Sequence, residues 1–136
     1  MAILITGCFD VIHAGHIRLL RQAAAYIHKH GCIHICLDTD ARVRESKGSD
    51  RPINNWHDRR MVLSGIKDVG FRNIHPLDTD FNLIEYCKIL NPVRIVGEEY
   101  KTKPIIGAEY CKEIIYIDRY ADLSTTNILK RGAIHG

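Results

Sequence analysis

No apolar run in this chain approaches the ~20 residues that a membrane-crossing helix requires. The opening MAILITGCFD has no basic segment and no apolar stretch of signal-peptide length. A soluble, cytoplasmic protein is expected. The five cysteines, Cys8, Cys32, Cys36, Cys87 and Cys111, contain no C-x-x-C and are odd in number, which does not suit a disulfide framework. A reducing setting follows as an expectation. There is no Pro-, Gly- or Ser-rich linker, no repeat and no low-complexity tract, so a single domain over residues 1–136 is expected. Charge of one sign is also scarce: Lys+Arg 19 against Asp+Glu 16 leaves +3, far from the balance of a dedicated nucleic-acid binder but compatible with small anionic ligands. What is present is globular composition, 46% hydrophobic and 26% charged, enough to bury a core. Eight histidines make the net charge respond to mild acidification.

Short apolar runs alternate with helical periodicity. A buried strand is expected from Ala2 to Thr6, ending at Gly7. A helix from about His16 to His30 follows, carried by Ile17, Leu20, Ala24 and Ile27, with Gly31 where it would stop. Cys32 to Leu37 reads as the second strand, and the polar stretch from Asp38 to Asn55 as a long loop with one helical turn, a length that usually signals function. Trp56 to Val69 is predicted helical, with Met61, Leu63 and Ile66 on its apolar face and Asn54 or Asn55 as cap. Asn73 to Leu77 reads as a strand, Asp80 to Leu90 as a helix, Val93 to Val96 and Glu113 to Ile117 as strands, and Ser124 to Arg131 as a terminal helix. Such alternation implies parallel strands joined by right-handed crossovers. The expected class is α/β, a three-layer Rossmann-like fold with about five strands, whose ligand sits at the strands' carboxyl ends. Cys32, His34 and Cys36 share one strand face, which is read either as a metal-ligand set or as a buried face using cysteine as a small hydrophobe.

The first strand runs into Gly7-Cys8-Phe9-Asp10-Val11-Ile12-His13-Ala14-Gly15-His16. Two imidazoles around a glycine at a helix start combine hydrogen-bond donors, close backbone approach and the positive end of the helix dipole, which together make an anion site. Neither G-x-G-x-x-G nor G-x-x-x-x-G-K-[ST] occurs, so neither the dinucleotide fingerprint nor the ATPase P-loop accounts for it. Ser124-Thr125-Thr126, followed by Lys130 and Arg131, places hydroxyls at a second helix start.

G-x-F-D-x-x-H-x-G-H together with Ser124-Thr125-Thr126 resembles the cytidylyltransferase-like nucleotidyltransferases over nearly the whole chain. The resemblance implies that His13 and His16 bind the triphosphate and stabilise the transition state. It also implies that Gly7, Cys8, Phe9, Asp10, Gly15, Gly97, Glu99, Arg119, Ser124, Thr125 and Thr126 shape the nucleotide site. Ser46-Lys47-Gly48-Ser49-Asp50-Arg51-Pro52-Ile53-Asn54, Arg60-Met61 and Gly97-Glu98-Glu99-Tyr100-Lys101 are similar to segments of heptose 1-phosphate adenylyltransferases, which carries phosphate contacts over to Lys47 and Arg60. Arg119, five residues before Ser124, instead resembles glycerol-3-phosphate and phosphoethanolamine-type cytidylyltransferases, although Asp122 stands where those have glycine. Glu98 and Glu99 also depart from the heptose-type G-G-D-Y segment, so ATP and CTP both stay open.

The chemistry implied is in-line attack of a sugar or polyol phosphate on the α-phosphorus of ATP or CTP, with pyrophosphate leaving and no covalent enzyme nucleophile. Cys8 sits in the site loop without a family role as nucleophile. Magnesium is expected with the triphosphate, and Asp10 is either a metal contact or a loop-orienting acceptor of backbone N–H bonds. Partners implied are a nucleoside triphosphate, a phosphorylated sugar or polyol and a second copy of the chain, with neither nucleic acid nor membrane. A nucleotide-binding module without turnover is the reading of another class, and intact His13 and His16 argue against it.

Overall fold

The structure, a computed structural model, describes residues 1–118. The expected helix from Ser124 to Arg131, and with it Arg119, Ser124, Thr125 and Thr126, lies outside the described residues.

Five strands, β1 (Ala2–Gly7), β2 (Cys32–Asp38), β3 (Ile74–Leu77), β4 (Val93–Gly97) and β5 (Glu113–Ile117), form one parallel sheet in the order β3-β2-β1-β4-β5. Apolar residues on both faces explain why it is buried on both sides. In β1, Ile3 and Ile5 enter the larger core cluster while Leu4 enters the smaller one, as the two-residue period of a strand requires. The helices α1 (Ala14–Ala24) and α4 (Trp56–Ser64) supply Leu20, Ala23 and Leu63 to the first cluster; α5 (Asp80–Leu90) supplies Leu83 and Cys87 to the second. These are the three layers of the expected α/β class.

Three expectations shift. The first helix starts at Ala14 and stops at Ala24, and a separate turn, α2 (Ile27–His30), precedes Gly31. Gly31 has φ 92°, and a Cβ there would collide with the Met1 carbonyl, so glycine is required where the chain turns into β2. The stretch expected as loop holds a full helix, α3 (Asp40–Lys47). Only Val43 of α3 is buried, so periodicity is silent there; the signal is the Thr39 cap, whose hydroxyl accepts from the Arg42 N–H at 3.3 Å. Finally α4 ends at Ser64, short of Val69, and Met61 faces solvent while Arg59 takes the buried position one turn before Leu63.

β1 is flanked by β2 on one side and β4 on the other, so the chain reverses its direction of travel across the sheet between β1 and β4. Loops leaving the carboxyl ends of those two strands diverge to opposite faces and leave a crevice between them.

Candidate active site

The crevice is a cavity of about 990 Å³ whose lining includes Gly7, Asp38, Gly97 and Asp118, the residues at or just past the ends of β1, β2, β4 and β5. Its most specialised wall is the loop after β1. Gly7 is needed because a Cβ there would stand 2.9 Å from the Phe9 ring. Phe9 and Val11 then adopt φ of 48° and 54°. A β-branched residue in the left-handed region is strained, at a cost of about 1–3 kcal/mol, and persists only where its surroundings over-determine it.

Two buried groups do that. Asp10, 1% exposed, accepts the backbone N–H groups of Ile53 at 2.6 Å and Asn54 at 2.9 Å, with Arg51 Nε 3.5 Å from its carboxylate. Arg59, also 1% exposed, donates to the carbonyls of Cys8 (2.9 Å), Asp38 (2.7 Å) and Asn54 (2.9 Å) and pairs with Asp40 at 2.7 Å. One guanidinium thus ties the ends of β1 and β2 to the segment before α4. Both Asp10 oxygens are engaged in holding loop to loop, so Asp10 orients the loop and does not fit a magnesium ligand. Among the described residues no cluster of three or more His, Cys, Asp and Glu side chains is placed to hold a metal.

His13 is the N-cap of α1, and its Nδ1 accepts the Gly15 N–H at 3.0 Å; His16 Nδ1 accepts the His13 N–H at 3.1 Å. This is a capping box in which two imidazoles take the places usual for a hydroxyl and a carboxylate. Because each Nδ1 is an acceptor, the proton of each neutral ring sits on Nε2, leaving that nitrogen as donor. The rings lie 3.8 Å apart, with Phe9 5.2 Å from His16. No acidic residue occupies the first turn of α1, so its positive end is not offset within the helix. Donors, dipole and the small Gly15 together suit a polyphosphate.

Gly7, Cys8, Phe9, His13, Gly15, His16, Lys47, Gly97 and Glu99 all line the cavity. Lys47 reaches it from the last turn of α3. Burial pushes the Cys8 thiol pKa up despite the nearby Lys47 and Arg59, which keeps it protonated and unsuited to nucleophilic attack. Arg60 does not join these residues. Its guanidinium donates to the Phe71 carbonyl at 3.0 and 3.2 Å and lies 3.6 Å over the Phe71 ring, and it is not among the residues lining the cavity. Consecutive helix positions are about 100° apart, so burying Arg59 turns Arg60 outward.

Among the charged residues of the lining that carry no motif are Arg18 on α1, Arg42 on α3 and Asp38 at the end of β2. Asp38 has its pKa raised by burial, opposed by Arg42, Lys47 and Arg59, with Arg42 Nε 3.4 Å away. The available signal for Arg42 was the Thr39 cap, which starts the helix that carries it. The Cys32, His34 and Cys36 face divides: Cys36 is fully buried with its pKa pushed up to about 12, Cys32 is exposed, and His34 Nδ1 lies 3.0 Å from His75 Nε2. Cys36 is packed as the hydrophobe reading expected, whereas Cys32 is not buried.

A family model described as cytidylyltransferase-like matches residues 4–131. The bifunctional protein HldE of Campylobacter concisus is 41% identical over 125 residues, 92% of this chain and 25% of the relative. The protein of the same name from Wolinella succinogenes is 36% identical over 126 residues, again 92% of this chain and 25% of the relative. The chain thus spans about a quarter of the length of these curated relatives. A crystal structure of the lipopolysaccharide core biosynthesis protein from Thermoplasma volcanium superposes with a TM-score of 0.66 over 88% of this chain and 98% of that one, at 21% identity, a likeness of fold.

Proposed function

Because the chain belongs to the cytidylyltransferase-like family, we propose that it is a nucleotidyltransferase moving AMP or CMP from a nucleoside triphosphate to a sugar or polyol phosphate, most like a heptose 1-phosphate adenylyltransferase. The observation that carries the reading is the histidine capping box at the start of α1. It sets two imidazoles at the start of a helix whose first turn holds no acidic residue, in the lining of a cavity large enough for a nucleotide and an acceptor.

In this reading His13, His16 and the N–H groups of α1 hold the phosphates, and Lys47 adds a cation to the same cavity from the last turn of α3. The acceptor's phosphate oxygen attacks the α-phosphorus in line, a bond forms to that oxygen, and the bond to the pyrophosphate breaks. A phosphomonoester is nucleophilic enough without a protein base, so positioning and compensation of the charge on departing pyrophosphate do the catalytic work. Magnesium is proposed to enter as part of the triphosphate substrate. Gly97 and Glu99, at the end of β4, would flank the nucleoside, with Arg119, Ser124, Thr125 and Thr126 completing the site as the family resemblance implies. A single nucleotidyltransferase domain over 1–136, acting as a homodimer, is part of the same proposal.

CTP with glycerol 3-phosphate or phosphoethanolamine is kept as the second reading because of Arg119 before Ser124-Thr125-Thr126. A pyrophosphate-release assay over ATP, CTP, GTP and UTP, crossed with heptose 1-phosphate, other sugar 1-phosphates, glycerol 3-phosphate and phosphoethanolamine, tests both. Release is expected with ATP and heptose 1-phosphate; release with CTP and a polyol phosphate alone selects the second reading, and none with any pair overturns transfer.

A further inference from the structure

On the opposite face of the sheet from α1, Cys87 of α5 is fully buried and Cys111, which follows the turn Ala108–Tyr110, is half-exposed. Their Sγ atoms lie 3.8 Å apart. The turn is moulded on the Cys87 thiol: Gly107 has φ 81°, and a Cβ there would stand 2.9 Å from Cys87 Sγ. Beside the pair, Arg94 of β4 is 4% exposed and donates through Nη1 to the Ile106 carbonyl at 2.9 Å, with Cys87 Sγ 3.9 Å away. Its Nε is buried with no acceptor, and among the described residues no carboxylate forms an ion pair with it. A buried guanidinium without a carboxylate favours a negative neighbour, and a thiolate is the one this pocket can make.

We propose that Cys87 and Cys111 are a redox-active dithiol, with Cys111 the attacking sulfur, Cys87 the resolving sulfur and Arg94 the cation that supports the thiolate. This inference is independent of the nucleotide chemistry. The asymmetry within the pair agrees with it: the contact with Cys87 and the charge of Arg94 hold Cys111 down to about 7, and the contact with Cys111, with burial, pushes Cys87 up. The oxidant is a hydroperoxide. Cys111 thiolate attacks one peroxide oxygen, the O–O bond breaks, and the leaving oxygen takes a proton to become water or an alcohol. The Cys87 sulfur then attacks the resulting sulfenic acid; the S–S bond forms, the S–O bond breaks, and the hydroxyl leaves as water with the Cys87 proton. Two electrons pass from the two thiols to the peroxide. Closure draws the turn after Ile106 onto α5, and Ile106 and Arg94 both belong to the cavity wall.

The test uses the full, reduced chain treated with hydrogen peroxide, alkylated under denaturing conditions, and digested without reduction for mass spectrometry. The expected result is two fewer alkylated cysteines and one linked peptide pair joining Cys87 to Cys111, both reversed by dithiothreitol. Cys87→Ser should instead accumulate a Cys111 sulfenic acid that dimedone traps, and the alkylation rate of Cys111 in untreated protein should be half-risen by about pH 7. Linkage through any other pair, unaltered thiols after oxidation, or a Cys111 rate that rises only above about pH 9 overturns the proposal. The mapping on unmodified protein needs no variant to fold.

Discussion

Arg59 and Arg60 are adjacent on α4 and have opposite tasks. Arg59 satisfies three carbonyls and one carboxylate in the interior, so Arg59→Met should leave those groups unpaired and lower stability by about 3–5 kcal/mol in urea unfolding. Arg60→Ala removes a half-exposed stacking contact with Phe71, and it should cost about 1 kcal/mol or less while turnover stays near the wild-type rate. A large loss of turnover in that variant would return Arg60 to the phosphates. Asp38 carries a pH signature. Burial raises its pKa in the folded state, so the folded protein favours the neutral carboxyl. The corresponding stability is present below the unfolded carboxylate pKa and is lost as pH rises through the raised value. Asp38→Asn should therefore stabilise the protein at pH 7, with the gain vanishing below about pH 4, as read from urea midpoints across pH.

At the scale of elements, α1 has two uses for the same two side chains: His13 and His16 close its first turn and, in the proposed reaction, contact the triphosphate. His16→Ala removes one capping bond, worth about 1 kcal/mol. It should slow nucleotidyl transfer far more, by about 10²–10³-fold, because the donor aimed at developing charge goes with it. The pairing of β2 with β3 has its own pH dependence. His34 and His75 contact each other through ring nitrogens 3.0 Å apart, and burial holds the pKa of both below the usual histidine range. For bases held down in this way, stability is present above the unfolded pKa of about 6.5 and falls as pH drops below it. Urea midpoints should decline from pH 7 to 5, and His75→Gln should flatten the decline; an unchanged slope would mean that the pair does not govern it.

At the scale of the whole molecule, strand order places the loop after β1 and the exit of β4 on either side of one crevice. β1, β2, β4 and β5 were legible because short apolar runs mark them, and the loop after β1 stood out because paired histidines at a helix start have few other uses. α3 was not legible, since a helix with one buried residue has no periodicity to read, and the Arg59–Arg60 choice turns on a rotation that composition does not encode. Asp10 and Arg59 act through partners more than forty residues away for Asp10 and up to fifty-one for Arg59, a tertiary relation that no local pattern carries. In the proposed reaction the histidine-capped end of α1 drives nucleotidyl transfer. The direct measurement is pyrophosphate release from ATP and heptose 1-phosphate by wild type and His16→Ala side by side. Steady release by the wild type and a rate about 10²–10³-fold lower in the variant is the predicted result; equal rates in the two proteins would contradict it.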